Sequence, residues 1–229
     1  TGWVIKPYED LLGAKSLSDI AINPSRPNEV FITSYFSGML KFQGDAIELL
    51  NNTNTGPNGL ESLFLPGNPS YVDIRINSPA FDKDGNLWVT NGLVNKGIKV
   101  LRANGQWQSY DLTGITANLD SGRYGAMAID KNSTKWIAAY NDGVLAFNEN
   151  YNNKFIVITQ DNADLPTSVV NCVAIDNRNQ LWIGTVAGLR ILSSVDRFIT
   201  ETELNVSSII IQEGDLAQEL FYQQPILDI

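Results

Sequence analysis

The stretch best suited to bind a metal ion is Asp82-Lys83-Asp84-Gly85-Asn86, whose spacing of oxygen-bearing side chains resembles the start of a calcium-binding loop. Such a loop also needs a bidentate Glu at its twelfth position, and Leu93 stands there instead. Similar stretches, DKNST and DNRNQ, begin at Asp130 and Asp176. Asp, Asn and Gly favour tight turns for backbone reasons alone. We therefore predict three hairpin turns, with no metal and no other cofactor.

The composition restricts other chemistry. The chain has no His, and its one Cys, Cys172, lies in an apolar run. This removes the usual general base at neutral pH, every triad that contains His, and the common zinc and thiol sites. A hydrolase or lyase would have to use carboxylates, which Asp82, Asp130 and Asp176 could supply, but turn formation explains these residues better. We predict that the protein is not an enzyme.

The charge balance restricts the partners. With 16 basic and 25 acidic residues, the net charge is −9. Nucleic acid and anionic bilayers both select a basic face, so neither is expected as a general partner. No apolar run reaches the roughly 18 residues of a membrane-spanning helix, which predicts no transmembrane segment in this chain. The sequence starts at Thr1 without a signal segment, and we expect an exported protein whose targeting signal lies outside it.

The turns recur because the sequence is repetitive. Short apolar runs bounded by Asn, Asp and Gly predict antiparallel strands joined by hairpins. The pattern at 170–192 occurs three more times, at 19–42, 78–101 and 125–147. A period of about 50 residues with four strand-like runs in each is typical of β-propeller blades.

Residue alternation predicts how the repeats pack. In each repeat a small residue precedes a large one at the end of the first strand, as in Ala80-Phe81 and Ala174-Ile175. Successive strand residues point to opposite faces, so each blade offers a small face and a large face that can interlock with its neighbours. The second strands carry aromatic residues at equivalent positions, and we predict that they pack in the core rather than stack on sugars. These residues are Phe31, Trp88, Trp136 and Trp182.

We therefore predict an all-β protein with the β-propeller fold: an arc of four full four-stranded blades with partial blades at both ends, belonging to a larger propeller. The predicted blades cover 17–50, 72–112, 124–159 and 168–203, and the partial blades cover 1–10 and 225–229. The outer strand of the fourth blade is expected near 197–203, and a short helical turn near 215–222. Residues 51–71 are rich in Pro, Gly and Asn, which predicts an inserted surface loop.

Strand order predicts where a ligand would bind. In a four-stranded meander, the loops between the second and third strands share a rim with the links between blades. This rim would carry aromatic, amide and cationic side chains on a rigid scaffold, as many binding surfaces do. A rim that is merely solvated is the alternative. The candidate ligand-binding residues are Tyr35, Tyr71, Arg75, Asn91, Arg123, Tyr124, Tyr140 and Asn141.

The fourth repeat resembles a known family. Its run LPTSVVNCVAIDNRNQLWIGTVAGLRIL is similar to the two-component regulator propeller repeat, which has a Leu-Pro-Ser entry, an Ile-Asp strand end, a Leu-Trp-Ile-Gly-Thr strand and a Gly-Leu start to the third strand. The third repeat keeps Ile129-Asp130, Trp136-Ile137 and Gly143-Val144 but departs from the pattern at Ala138-Ala139. The first repeat keeps little beyond the spacing.

The resemblance implies two functional settings. Propellers of this family form the periplasmic sensor part of hybrid two-component systems in Bacteroidetes, which often respond to oligosaccharides. They also form the body of PorZ-type proteins of the type IX secretion system, which work with the sortase and are associated with anionic lipopolysaccharide. The long loop and the final stretch of this sequence resemble the PorZ type more.

We therefore expect a non-enzymatic binding and scaffolding module at the bacterial cell surface, the outer membrane or the periplasm. Its partners would be other envelope proteins, such as a sortase-like protein, or a glycan or lipopolysaccharide. The alternative is a periplasmic glycan-sensing propeller domain of a hybrid two-component sensor kinase. The resemblance implies no catalytic residue for either setting.

Overall fold

A computed structural model describes residues 2, 5–116 and 122–229. The chain forms two compact units, one spanning 1–112 and the other 113–229. Regular structure in the described residues is β-strand, apart from one α-helix and the single-turn 3-10 helices Tyr8–Leu11 and Glu149–Tyr151. No helix in the described part of the chain is long and apolar enough to span a membrane.

The first unit contains two four-stranded antiparallel sheets, each in simple meander order. The strands of the first sheet are β1 (Leu17–Ile22), β2 (Glu29–Ser34), β3 (Gly38–Gln43) and β4 (Ala46–Leu50). The second sheet consists of β5 (Arg75–Phe81), β6 (Leu87–Gly92), β7 (Ile98–Leu101) and β8 (Trp107–Tyr110). A core cluster that includes Phe31 and Met39 from the first sheet and Ile76 and Val89 from the second packs the two sheets together.

The second unit repeats this plan with a different ending. Its four-stranded sheet contains β9 (Tyr124–Ile129), β10 (Lys135–Ala139), β11 (Gly143–Asn148) and β12 (Lys154–Ile158). A three-stranded sheet of β13 (Val170–Ile175), β14 (Leu181–Thr185) and β15 (Gly188–Leu192) follows. The helix α1 (Arg197–Thr200) and the hairpin β16 (Ile210–Glu213) and β17 (Leu216–Glu219) complete the unit.

Two predictions about the C-terminal region were wrong. The outer strand expected near 197–203 is replaced by α1, because Phe198 is fully buried there and packs edge-on against Trp136 at 5.9 Å between ring centroids. Ser207 instead pairs with Ile191 on the outer side of β15. The helical turn expected near 215–222 is replaced by β17, which pairs with β16.

The three turns that begin with Asp are hairpin turns, as predicted, and they share one network of hydrogen bonds. Asp130 Oδ1 accepts the backbone N–H groups of Asn132 and Thr134 at 2.8 and 2.9 Å, and its Oδ2 accepts Trp136 Nε1 at 3.0 Å. Asp82 and Asp176 bind their own turns and the indoles of Trp88 and Trp182 in the same way. One carboxylate thus closes each turn and satisfies the indole of the following strand.

The prediction that the second-strand aromatics form the core is confirmed for the first three sheets. Phe31, Trp88 and Trp136 are buried, whereas Trp182 is half-buried. Burial of the indole N–H explains the need for an acceptor at the preceding Asp.

Candidate binding surface

The turn between β2 and β3 is held rigidly enough to present side chains to a partner. Ser34 Oγ accepts the backbone N–H groups of Phe36 and Ser37 at 3.0 and 2.8 Å. Gly38 adopts a φ of 97°, and a Cβ there would lie 2.2 Å from the Leu50 carbonyl oxygen. Only glycine fits this conformation and this close approach.

The link that enters β5 is fastened to the same turn. Ile74 donates its N–H to the Phe36 carbonyl at 2.9 Å, and Gly38 donates its N–H to the Ile74 carbonyl at 3.0 Å. These two hydrogen bonds place the residues on either side of Ile74 beside the turn. Side chains from two distant parts of the sequence are therefore brought together within the first unit.

Four of these side chains, Tyr35, Phe36, Tyr71 and Arg75, form what we call the first-unit patch. The rings of Phe36 and Tyr71 meet edge to face with centroids 6.5 Å apart. The Tyr35 hydroxyl accepts a hydrogen bond from Asn77 Nδ2 at 2.9 Å. Tyr35 and Tyr71 remain 42% and 37% exposed, so the patch offers aromatic surface to solvent.

Arg75 is positioned in the patch by a buried carboxylate. Its Nε and Nη2 bind Asp73, with the shortest contact, Nη2 to Oδ2, at 2.8 Å. The hydrogen-bonded and negatively charged Asp73 raises the pKa of Arg75 above its usual value, against the opposing effect of burial. The Arg75 side chain is still 40% exposed, whereas Asp73 is 1% exposed. The guanidinium is thus fixed and remains able to meet a ligand.

The second unit has an equivalent turn with a smaller set of exposed groups. Gly143 has a φ of 77°, and a Cβ there would lie 1.9 Å from the Ile158 carbonyl oxygen. In this second-unit patch, the Arg123 guanidinium lies over the Tyr140 ring, 5.6 Å from its centroid. Tyr140 is 39% exposed, and Asn141 beside it is also exposed. An arginine stacked on a tyrosine is a common element of binding surfaces.

Two of the eight candidate residues are buried instead of lying on the surface. Asn91 accepts the backbone N–H of Glu61 at 2.8 Å and donates to its carbonyl at 3.1 Å, so its amide anchors the long loop before β5. Tyr124 is 5% exposed, and burial, with a smaller effect of Asp142, raises its pKa. We therefore leave both residues out of the proposed binding surface.

Metal and thiol chemistry find no support in the described residues. They contain no cluster of three or more His, Cys, Asp or Glu side chains that could hold a metal ion. Burial raises the pKa of the Cys172 thiol to about 11. Such a thiol is almost entirely protonated at neutral pH and is therefore a poor nucleophile.

Comparison with protein families identifies the region around β13 and β14. Residues 164–187 match the family model described as Two component regulator propeller. This stretch is therefore similar to a two-component regulator propeller repeat. It contains β13, the turn from Asp176, and β14, whose Trp182 donates to that Asp. No curated protein matches the chain.

Solved structures extend the comparison to most of the chain. PorZ, described as an essential bacterial surface component of the type-IX secretion system of Porphyromonas gingivalis, superposes on 92% of this chain with a TM-score of 0.75 and 21% identity. The extracellular domain of the putative hybrid two component system BT3049 of B. thetaiotaomicron covers 87% with a TM-score of 0.57 and 17% identity. This chain spans only 29% and 25% of those two structures.

These likenesses show that the chain has the β-propeller fold, as its repeats predict. The chain is also similar in structure to an enzyme. The gluconolactonase XC5397 of Xanthomonas campestris covers 83% of this chain with a TM-score of 0.53 and 11% identity. At such low identity the shared fold does not carry the enzyme's activity with it. Function has to be argued from the surface residues of this chain.

Proposed function

We propose that this chain is a non-enzymatic binding and scaffolding module at a bacterial cell surface, with a role like that of PorZ in type IX secretion. Its partner would be another envelope protein, such as a sortase-like protein, or a glycan such as anionic lipopolysaccharide. The observation that carries this proposal is the first-unit patch, where exposed tyrosines and a fixed arginine stand on a turn and on the link that is hydrogen-bonded to it.

The composition of the patch suits an anionic or mixed partner. Tyr and Arg are, with Trp, the residues enriched at the energetic centres of interfaces. Lys15 Nζ lies 5.7 Å from the centroid of the Phe36 ring and adds a second positively charged side chain to the patch. The protein as a whole carries a charge of −9, so binding of an anionic partner would depend on these local cations.

A second candidate function is sensing of a glycan by a periplasmic domain of a hybrid two-component kinase. The match of residues 164–187 to the regulator propeller model and the likeness to the extracellular domain of BT3049 favour it. In that case the first-unit patch or the second-unit patch would bind an oligosaccharide, and the bound state would be transmitted to other parts of a larger protein.

One binding experiment separates the two functions. The protein is titrated with purified anionic lipopolysaccharide and, in parallel, with a panel of plant and host oligosaccharides. The same titrations are run with Arg75→Ala, which removes the arginine of the first-unit patch, and with Arg123→Ala, which removes the arginine of the second-unit patch. Circular dichroism of each variant verifies that the fold is retained.

The outcomes point in different directions. Saturable binding of lipopolysaccharide, weakened by either substitution, supports the PorZ-like role. Saturable binding of a defined oligosaccharide that depends on the same arginines supports the sensor role. Binding to either ligand that neither substitution weakens contradicts the assignment of the surface.

A further inference from the structure

A cleft lies between the two sheets of the first unit, toward the ends of the strands opposite to the first-unit patch. Its volume is about 650 Å³, which falls in the range of small-molecule sites, roughly 300–1,000 Å³. The turn after β1, the turn between β7 and β8, and residues 54–56 of the long loop contribute to its lining. The cleft has two walls of different chemistry.

One wall is apolar and belongs to the second sheet. Phe81, Leu87, Leu101 and Trp107 are paired in a single row across β5, β6, β7 and β8. All four line the cleft, and Trp107 stands on the outermost strand, where it is half-buried. The wall therefore ends in an indole that a ligand entering the cleft can contact.

The opposite wall is charged and belongs to the first sheet. Phe31, Lys41 and Glu48 form a row across β2, β3 and β4, and all three line the cleft. Glu29 lies on the same face of β2 and is buried, with Arg26 at 3.1 Å and Lys41 at 3.3 Å. Arg26 and Lys41 together balance Glu29 and Glu48 in formal charge.

The corresponding positions in the second unit show that the fold does not require this polarity. There the row across β10, β11 and β12 consists of Trp136, Ala146 and Ile156. All three belong to a continuous apolar core that also contains Phe198 of α1. At these positions the space between sheets is filled with apolar side chains in the second unit, whereas in the first unit it is open and lined partly with charges.

We propose that this cleft is a binding site for a neutral oligosaccharide. A pyranose ring has an apolar C–H face that can stack on Trp107 and hydroxyl groups that can bind the Lys41 and Glu48 side chains of the facing wall. Aromatic surfaces that combine with a few polar groups are typical of ligand pockets.

Other ligand classes fit the two walls less well. A free anion would meet Glu29 and Glu48, and a free cation would meet Arg26 and Lys41. Arg102 also lines the cleft, but its guanidinium donates to Gln108 Oε1 at 2.9 Å and to the Tyr110 hydroxyl at 3.0 Å. A wholly apolar ligand would remove water from these charged groups without replacing its hydrogen bonds, which costs free energy. A neutral ring with one apolar face and many hydroxyl groups avoids each of these penalties.

The test is isothermal titration of the full chain with maltotriose, cellotriose, laminaritriose and mannotriose. We expect at least one of them to bind with a saturable isotherm. Trp107→Ala is expected to weaken that binding at least tenfold. Glu48→Gln, which changes an exposed and nearly isosteric side chain, is expected to weaken it several-fold without any effect on folding.

A matched control keeps the result specific. Gln106→Ala alters the exposed residue next to Trp107, which does not line the cleft, and should leave the affinity unchanged. Tyr35→Ala in the first-unit patch should also leave it unchanged, so this proposal and the proposed function can fail separately. Absence of binding by all four trisaccharides overturns the proposal, as does binding that neither Trp107→Ala nor Glu48→Gln weakens.

Discussion

Replacement of Asp130 by Asn tests whether the turn carboxylates act as acceptors for the buried indoles. In Asp130→Asn, the amide oxygen can still accept the turn N–H groups that Oδ1 binds at 2.8 and 2.9 Å. The amide nitrogen then faces Trp136 Nε1, which lies 3.0 Å from Oδ2 in the native protein. Two donors would point at each other. The flipped amide would satisfy the indole but lose both turn hydrogen bonds.

Either arrangement leaves a buried N–H group without an acceptor, which costs about 1–3 kcal/mol. Part of this cost is offset, because burial raises the pKa of Asp130 despite the opposing hydrogen bonds, so the native carboxylate is itself held at a cost at neutral pH. We expect a net loss of about 1–2 kcal/mol in the free energy of unfolding. A raised pKa in the folded state contributes stability that is lost as pH rises through it. The penalty of the variant should therefore be larger near pH 4 than at pH 7.

The assay is urea unfolding of the wild type, Asp130→Asn, Trp136→Phe and the double variant. Phe has no indole N–H, so the Asn substitution should cost much less in the Trp136→Phe background, with a coupling of about 1 kcal/mol or more. The first sheet already combines Asn23 at the turn with Phe31 in the core. Asp176→Asn, beside the half-buried Trp182, is the milder comparison. A coupling near zero would refute the role assigned to the carboxylate.

Three further predictions concern other parts of the chain. Gly38→Ala should destabilise the protein by about 2 kcal/mol or more in urea unfolding, since the new Cβ would lie 2.2 Å from a carbonyl oxygen at a position with an unfavourable φ. Gly44→Ala, with a φ of 61° and open space around it, should cost only about 1 kcal/mol. Equal losses of stability in the two variants would contradict this prediction. Asn91→Ala removes the side chain that anchors the loop at 51–71 through Glu61, and it should speed cleavage of that loop by thermolysin. An unchanged cleavage rate would contradict the anchoring role of Asn91. Cys172, with a pKa raised to about 11, should react with a thiol reagent at pH 8 only after unfolding, and rapid native reaction would contradict its burial.

The strands could be predicted from the sequence because their signals are local. Alternating residues and Asp-led turns recur in each repeat, and strands such as β4 at Ala46–Leu50 and β12 at Lys154–Ile158 form where those patterns occur. The Trp that follows each Asp six residues later also lies within one hairpin. A sequence carries such short-range information directly.

The features that the sequence analysis missed depend on contacts between distant residues. The side-chain amide of Asn91 is hydrogen-bonded to the backbone of Glu61, which lies 30 positions away, and nothing in the local sequence pattern distinguishes it from an exposed amide. α1 replaces a strand because Phe198 reaches the core around Trp136. The position of Asp73 two residues before Arg75 could have predicted their ion pair, since alternate residues of an extended segment point to the same side.

The central claim, that the first-unit patch is a binding surface, is tested most directly by surface plasmon resonance on immobilised anionic lipopolysaccharide. The wild type is compared with the double variant Tyr35→Ala/Arg75→Ala and with Lys83→Ala, which removes an exposed cation from a turn outside the patch. We predict saturable binding by the wild type and by Lys83→Ala, and at least tenfold weaker binding by the double variant. Equal affinity of the wild type and the double variant, or an equal loss in Lys83→Ala, would contradict the account.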